Sequence, residues 1–355
     1  MTKMQSLPEN SARTAFVIGG TGFIGYHIVQ QLLAQQFGVR LLTRNINRTR
    51  DAGLFSPGVE YVEGDLDLLT TEQLHDMLQG CTALAFAAGS DERVEPQGDA
   101  REFFRRANVA SAEKVFRAAQ NTAITHAVLL SSVFLKLHHE HPELKLAERH
   151  PYIASRVEQH AVSTALAENH FVLTTLEIPW VFGTAPHIVS QWNSLITYVR
   201  SATPLLCCRG GVNVVAVQSV AEAAVAALLY PTQSSRQAIG DLNLSYQQLV
   251  ERLGVAAQRK DTTIRLVNDD VFLRLMQAGG LFRKLFNIPA GLDITYLPEL
   301  LLRNIYIDNS ASQQLLRYRT GRAAQAIAAT VHAAPENRYL KGWRGLLNMF
   351  HNQVI

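Results

Sequence analysis

The stretch TAFVIGGTGFIG, residues 14–25, constrains this chain more than any other. An apolar run stops at a glycine pair, the loop GGTGFIG (19–25) follows, and helical spacing begins. Ile24, Ile28, Leu32 and Leu33 then fall on one side of 24–36. A glycine triad between a strand and a helix is the setting in which such a loop cradles a dinucleotide. Gly19 permits the tight turn, Gly22 lets the backbone approach a pyrophosphate, and Gly25 lets helix and strand pack closely. The pyrophosphate would lie at the helix N-terminus, where free N–H groups and the helix dipole favour an anion.

The rest of the first half repeats this alternation. Short apolar runs occur at 39–43, 59–65, 83–89, 126–132 and 171–179, with amphipathic stretches between them such as 99–120. Near-continuous apolar strands alternating with helices predict a parallel sheet covered on both faces, which is a doubly wound, Rossmann-type α/β fold. VNVVAVQSVAEAAVAALL (212–229) reads as one more strand and helix of that core. The expected organisation is a dinucleotide-binding domain of 13–183 plus 212–232. A smaller, mostly helical substrate-binding subdomain takes 184–211 plus 240–345, and residues 1–12 form a flexible N-terminus. Within 271–302, Val271, Phe272, Leu273, Leu275, Met276, Leu281, Phe282, Leu285 and Phe286 predict a cap packed on the core; a greasy lid or a membrane-surface contact is the alternative.

The end of the second strand bears on which dinucleotide is held. An acidic residue there would bond the ribose 2′-hydroxyl of NAD. VRLLTRN instead offers Thr43 and Arg44, with Arg48 and Arg50 nearby, and no carboxylate to repel a 2′-phosphate. NADP(H) is therefore expected over NAD(H). Asp65, ending the third strand, and the Leu66 amide are placed to hold the adenine.

YIASR (152–156) sets Tyr152 four residues before a cation, Arg156, at the start of a helix, and Ser132 ends the fifth strand. In a parallel sheet these positions converge with the glycine loop outside the carboxyl ends of the strands. Together with Asp65, Ala87–Ala88, Asn108–Val109, Ser131–Ser132, EIPWVFG (177–183) and 212–228, they resemble the extended short-chain dehydrogenase/reductase superfamily, the epimerase/dehydratase group, over roughly 13–330. VRLLTR and GGVNVVAVQSVAEA are most similar to its dihydroflavonol-reductase and hydroxysteroid-dehydrogenase branch.

The resemblance implies an NADP(H)-dependent oxidoreductase. It would pass hydride between nicotinamide and a carbonyl or secondary alcohol of a small organic substrate. Tyr152 would supply the proton, Ser132 would steady the developing oxyanion, and Asn108 would hold a water in the proton path. It also implies cofactor contacts from Gly19, Thr21, Gly22, Phe23, Ile24, Gly25, Ala87, Ala88 and Pro179. Where the family has lysine this chain has Arg156, permanently charged and unable to give up its proton. Phe86 and Ile178 are two further departures. The alternatives are a nucleotide-sugar epimerase or dehydratase with retained NAD, and a weakly catalytic dinucleotide-binding sensor or assembly protein.

A formal net charge of only +3 argues against a nucleic-acid partner. The polar opening MTKMQSLPENSA and the absence of an apolar run near 20 residues predict a cytoplasmic protein with no transmembrane segment, expected as a homodimer. His138, His139 and His141 in HHEHPELKLAERH (138–150) read as an exposed loop cluster rather than a metal site. Cys81, Cys207 and Cys208 fit no disulfide or zinc spacing.

Overall fold

A computed structural model of the chain describes residues 13–55, 58–201, 204–260 and 263–335. The six apolar runs of the first half form β1 (Thr14–Ile18), β2 (Gly38–Thr43), β3 (Val59–Glu63), β4 (Ala83–Phe86), β5 (His126–Ser132) and β6 (Val172–Ile178). β7 (Trp180–Phe182), β8 (Leu205–Cys207) and β9 (Gly211–Ala216) follow. β10 (Ser235–Ala238), β11 (Leu242–Ser245), β12 (Ile264–Leu266) and β13 (Asn304–Ile305) complete the strands. The main sheet has the order β10-β6-β5-β4-β1-β2-β3 and is parallel throughout. Helices cover both faces, so β4 is buried along its whole length and β5 along all but its first residue. The strand order reverses between β1 and β4, which opens the ligand crevice of a doubly wound sheet above their carboxyl ends.

Two features of the order depart from the sequence reading. β9 does not join the main sheet but pairs with β7, β11 and β13 in a second, smaller one. The helix after it, Val217–Ala227, nevertheless packs on the main domain against the helix Phe23–Ala34. β9 is buried at all six positions, so its composition gives no hint of which sheet it enters. The seventh main-sheet strand is β10, a polar segment outside the predicted boundaries. The second half is otherwise largely helical, as predicted.

The stretch 99–120 is one continuous helical run with an irregular middle. Ala100–Phe104 winds into a π-helix at Arg105–Ala110, and α-winding resumes over Ser111–Ala119. The predicted histidine loop is instead helical turns: Val133–Glu140, a 3₁₀ turn at Pro142–Leu144, and Leu146–Arg149. No His/Cys/Asp/Glu cluster able to hold a metal ion occurs among the described residues. No helix among them is long and apolar enough to cross a membrane. The cap helix Asp269–Leu285 buries Phe272 and Met276 but leaves Val271, Leu275, Leu281, Phe282 and Leu285 exposed. The expected N-terminal flexible segment lies outside the described residues.

Candidate active site

The glycine loop has the shape its sequence implies. Gly19 takes φ +81°, and a methyl group added at Gly25 would lie 2.1 Å from the Gly19 carbonyl oxygen, so helix and turn touch backbone to backbone. Gly22 occupies the N-cap of Phe23–Ala34 with no side chain bonded to the first turn, and no acidic residue stands in that turn. Thr21 and Gly22 are exposed. The first amides of the helix are thus open to an anion, which is the fit a pyrophosphate requires.

At the end of β2, Thr43 turns inward and its hydroxyl pairs with that of Thr49 at 2.8 Å, while Arg44 is exposed. Arg50 is drawn over the Tyr61 ring, 5.5 Å from its centroid. A carboxylate does reach this turn, contrary to the sequence reading. Glu63, at the end of β3, has Oε2 3.5 Å from the Ile46 amide. Asp65 uses one carboxylate oxygen to accept from the Asp67 amide at 3.0 Å. The next residues are braced by Lys114, whose Nζ donates to the carbonyls of Leu66 at 2.9 Å and Leu69 at 2.7 Å.

Above β1, β4 and β5 lies a cavity of about 160 Å³. Of the predicted residues, Phe23, Ile24, Ala87, Ala88, Ser132, Tyr152, Arg156 and Pro179 line it. Asn108, Asp65, Leu66, Arg44 and the four loop positions Gly19, Thr21, Gly22 and Gly25 do not. Residues that the sequence reading passed over also line it, among them Asp91, Glu92, Arg93, Phe134, Trp180, Gln191 and Trp192. A second cavity of about 670 Å³, lined by Arg101, Arg149, Arg283 and Tyr296, includes none of the predicted site residues.

Tyr152 begins the helix Pro151–Ala167 and is buried. Its ring is gripped edge-on by Phe104 and Phe134, at centroid distances of 5.7 and 6.3 Å. The Tyr152 amide, an orphan donor of the first helical turn, is satisfied from the second half of the chain by the Gly291 carbonyl at 2.9 Å. Burial pushes the phenol above its ordinary pKa; the Arg156 charge and the Ser132 hydroxyl pull the other way, and Glu92 and Asp91 add to the rise. Ser132 ends β5 and also caps Val133–Glu140, accepting from the Phe134 amide at 3.3 Å.

Arg156 sits on the inner face of the tyrosine helix. Its Cζ is 5.2 Å from the Tyr152 ring centroid. Nη1 donates to Gln159 Oε1 at 2.9 Å and Nη2 to the Ser90 carbonyl at 3.2 Å, while Nε is buried without a partner. Gln159, three residues on and on the same helical face, is the partner that i,i+3 spacing offers.

Asn108 is fully buried, and its expected role as water holder meets an obstacle. Its Oδ1 accepts from the Ser90 amide at 2.8 Å, and its Nδ2 donates to the Ser90 carbonyl and to Ser155 Oγ, at 3.1 and 3.0 Å. Its own carbonyl accepts from Gln159 Nε2 at 3.0 Å. The side chain is a strut between the loop after β4 and the tyrosine helix. Gly89 admits this contact: its φ is +136°, and a methyl group there would lie 2.6 Å from Asn108 Oδ1.

The sheet order and the open glycine-loop crevice define the class: a doubly wound, Rossmann-type fold with its glycine loop open to a dinucleotide. A family model described as NAD(P)H-binding matches residues 19–231, more than half of the chain, and the chain belongs to that family. Among curated proteins it is similar to a candidate dihydroflavonol 4-reductase of Synechocystis sp., 35% identical over 118 residues, covering 33% of this chain and 32% of that protein. It is also similar to the Homo sapiens sterol-4-alpha-carboxylate 3-dehydrogenase (decarboxylating), 28% identical over 129 residues, covering 36% and 31%. Each match thus spans about a third of the curated relative's length. Among solved structures, UDP-glucuronic acid 4-epimerase from Bacillus cereus, in complex with UDP-glucuronic acid and NAD, aligns over 90% of this chain and 99% of its own. Its TM-score is 0.63 at 14% identity, a likeness of fold.

Proposed function

We propose that this site passes hydride between a nicotinamide and the carbon of a ketone or secondary alcohol, with Tyr152 carrying the proton. The observation that supports this best is the setting of the phenol: buried, caged by two aromatic rings, beside Ser132 and beneath the Arg156 guanidinium. A bound nicotinamide would give or take the hydride. This chain's residues would hold the substrate oxygen between the Ser132 and Tyr152 hydroxyls. Burial keeps the phenol protonated at neutral pH, which suits a proton donor in the reducing direction.

The main form of the reading is a reductase or dehydrogenase of small carbonyl compounds, in the dihydroflavonol-reductase and hydroxysteroid-dehydrogenase branch. The names of the two curated relatives and the small cavity favour it. The second form is a nucleotide-sugar epimerase or dehydratase that retains NAD, in which hydride leaves the sugar and is then given back. The likeness to a sugar-nucleotide epimerase over nine tenths of the chain supports that form at least as well. A homodimer with separate cofactor and substrate regions belongs to either form.

The test runs both assays on purified protein. NADPH and NADH absorbance is followed with chemically diverse ketones and aldehydes, and UDP-sugars are followed by chromatography with NAD. Net cofactor oxidation is the expected outcome; sugar interconversion without it selects the second form. Tight cofactor binding with neither reaction rejects both and leaves a sensor.

For the cofactor, we propose NADP(H), carried by exposed Arg44 beside inward-turned Thr43 and opposed by Glu63. A charge-assisted hydrogen bond to phosphate contributes about 1.5–3 kcal/mol. Arg44→Ala is therefore expected to weaken NADP(H) by about ten-fold or more and leave NAD(H) little changed, whereas Glu63→Gln strengthens NADP(H). Titration calorimetry with both cofactors checks this. Equal losses for the two cofactors would remove Arg44 from the recognition of phosphate.

A further inference from the structure

Seven of the fourteen large apolar side chains that stand exposed among the described residues fall within 271–286. Leu285, Phe286 and Leu281 are the most open of the seven, at 74, 64 and 61%. Apolar side chains scattered singly on a surface are ordinary, whereas a concentration of this kind marks a contact site. The helix Asp269–Leu285 that carries most of them is firmly seated. Its N-cap Asn268 accepts from the Asp270 and Val271 amides, and Arg283 Nη2 donates to the Pro289 carbonyl at 2.8 Å. A methyl group at Gly280 would lie 2.2 Å from Thr295 Oγ1. The apolar face is thus presented by a packed helix.

That helix buries a single stripe, Phe272, Met276, Gly280 and Arg283. At about 100° per residue, its exposed apolar side chains run from Leu273 through Leu281 and Leu285 to Leu275, about 200° of the circumference. One partner helix covers a narrower seam than this, whereas a lipid interface receives the whole outward side. None of these side chains lines the Tyr152 cavity, so the face is not a wall of the candidate active site.

The charge of the region favours an anionic surface. Between Asp270 and Asp293 the sequence has Arg274, Arg283 and Lys284 and no carboxylate. Arg274 and Lys284 are exposed and make no ion pair among the described residues. The cavity of about 670 Å³ beside Gly280, Arg283 and Lys284 continues the same sign, adding Arg101, Lys145 and Arg149 against Glu148 and Asp293. The chain's own residues 336–355 do not suit as a cover. They carry Arg338, Lys341 and Arg344 against Glu336, so like charge would meet like charge.

We propose that the helix Asp269–Leu285 seats this protein on a membrane surface rich in anionic phospholipid. The helix lies in the plane of the interface. Its apolar side chains enter the boundary between head groups and acyl chains, and Arg274 and Lys284 pair with lipid phosphates. This seating is independent of the reaction at Tyr152 and holds for either form of it.

The test is flotation of the intact protein with vesicles of phosphatidylcholine, alone or with about one third phosphatidylglycerol. Wild type is expected to partition onto the anionic vesicles about ten-fold or more better than onto the neutral ones, and less so at high salt. Phe282→Ser combined with Leu285→Ser should lower that partition about ten-fold or more. Arg274→Gln and Lys284→Gln should each lower it about five-fold, on anionic vesicles only. All four positions are exposed, so melting temperatures should stay near wild type. Wild type that stays in solution with both kinds of vesicle overturns the inference. So does equal partition onto the two, or binding that survives Phe282→Ser with Leu285→Ser. Light scattering covers the nearest rival: a dimer split by that double variant, with no vesicle binding, assigns the face to a second copy and overturns membrane docking.

Discussion

Tyr152→Phe is expected to lower turnover by about 10²–10⁴-fold, the usual contribution of a positioned proton donor. Cofactor affinity and melting temperature should stay close to wild type. The substitution removes one oxygen and leaves the ring in its cage of Phe104 and Phe134. Ser132 still accepts from the Phe134 amide, so its hydroxyl is not stranded. The measurement is kcat with the best substrate from the carbonyl and sugar assays, beside a cofactor titration and a thermal melt. A variant that keeps most of its activity would show that another group supplies the proton, and Tyr152 would lose its role.

Arg156→Met is expected to move the pH–rate profile of alcohol oxidation to higher pH, by about one to two units. In that direction the proposed mechanism uses the phenolate as base, so activity should appear as pH rises through the Tyr152 pKa. The guanidinium lowers that pKa against the effect of burial, and removing it lets the pKa climb and the rising limb follow. In the reducing direction the same proposed mechanism uses the protonated phenol, and the falling limb should shift alkaline as well. Arg156→Lys keeps a charge near the ring and should hold the profile near wild type. Arg156→Met also strands Gln159 Oε1, so a stability loss of about 1–3 kcal/mol should accompany it. Rates from pH 6 to about 10 on the three proteins, with melts alongside, separate the two effects. An unmoved profile in Arg156→Met would make Arg156 a packing residue only.

The main sheet was readable because both of its faces are covered. β1 and β4 had to be nearly all apolar, β5 carries the apolar run Ala127–Leu130, and these strands stand out against the amphipathic helices between them; β6, with Thr174, Thr175 and Glu177 buried, is more mixed. The glycine loop was readable because backbone proximity excludes side chains there. Tyr152, Ser132 and Arg156 were brought together by a general rule about strand ends, and Ala87, Ala88 and Pro179 were added by the family resemblance. The far wall of the cavity was not readable. Trp180 and Trp192 stack at 4.5 Å between centroids, but they come from separate segments with no shared period. Asp91, Glu92 and Arg93 look like an ordinary polar loop until the fold turns them inward. Their place directly after an apolar strand end was the available signal. β10 was missed because an edge strand with a polar sequence has no apolar signature.

The π-helix at Arg105–Ala110 sets a limit on how this site can be altered. Each turn there holds about one residue more than an α-turn, which places Asn108 between Ser90 and Ser155. Deleting a single residue within this stretch would let the ladder relax to ordinary winding. The flanking α-turns would keep nearly their present alignment, because the lost residue is the one the wide turn takes up. The bulge that sets Asn108 between Ser90 and Ser155 would be gone. No side-chain adjustment recovers such a turn, because register changes in whole residues whereas packing can yield by fractions of an ångström. Side chains at this site can be exchanged one at a time; the length of the chain through 105–110 cannot.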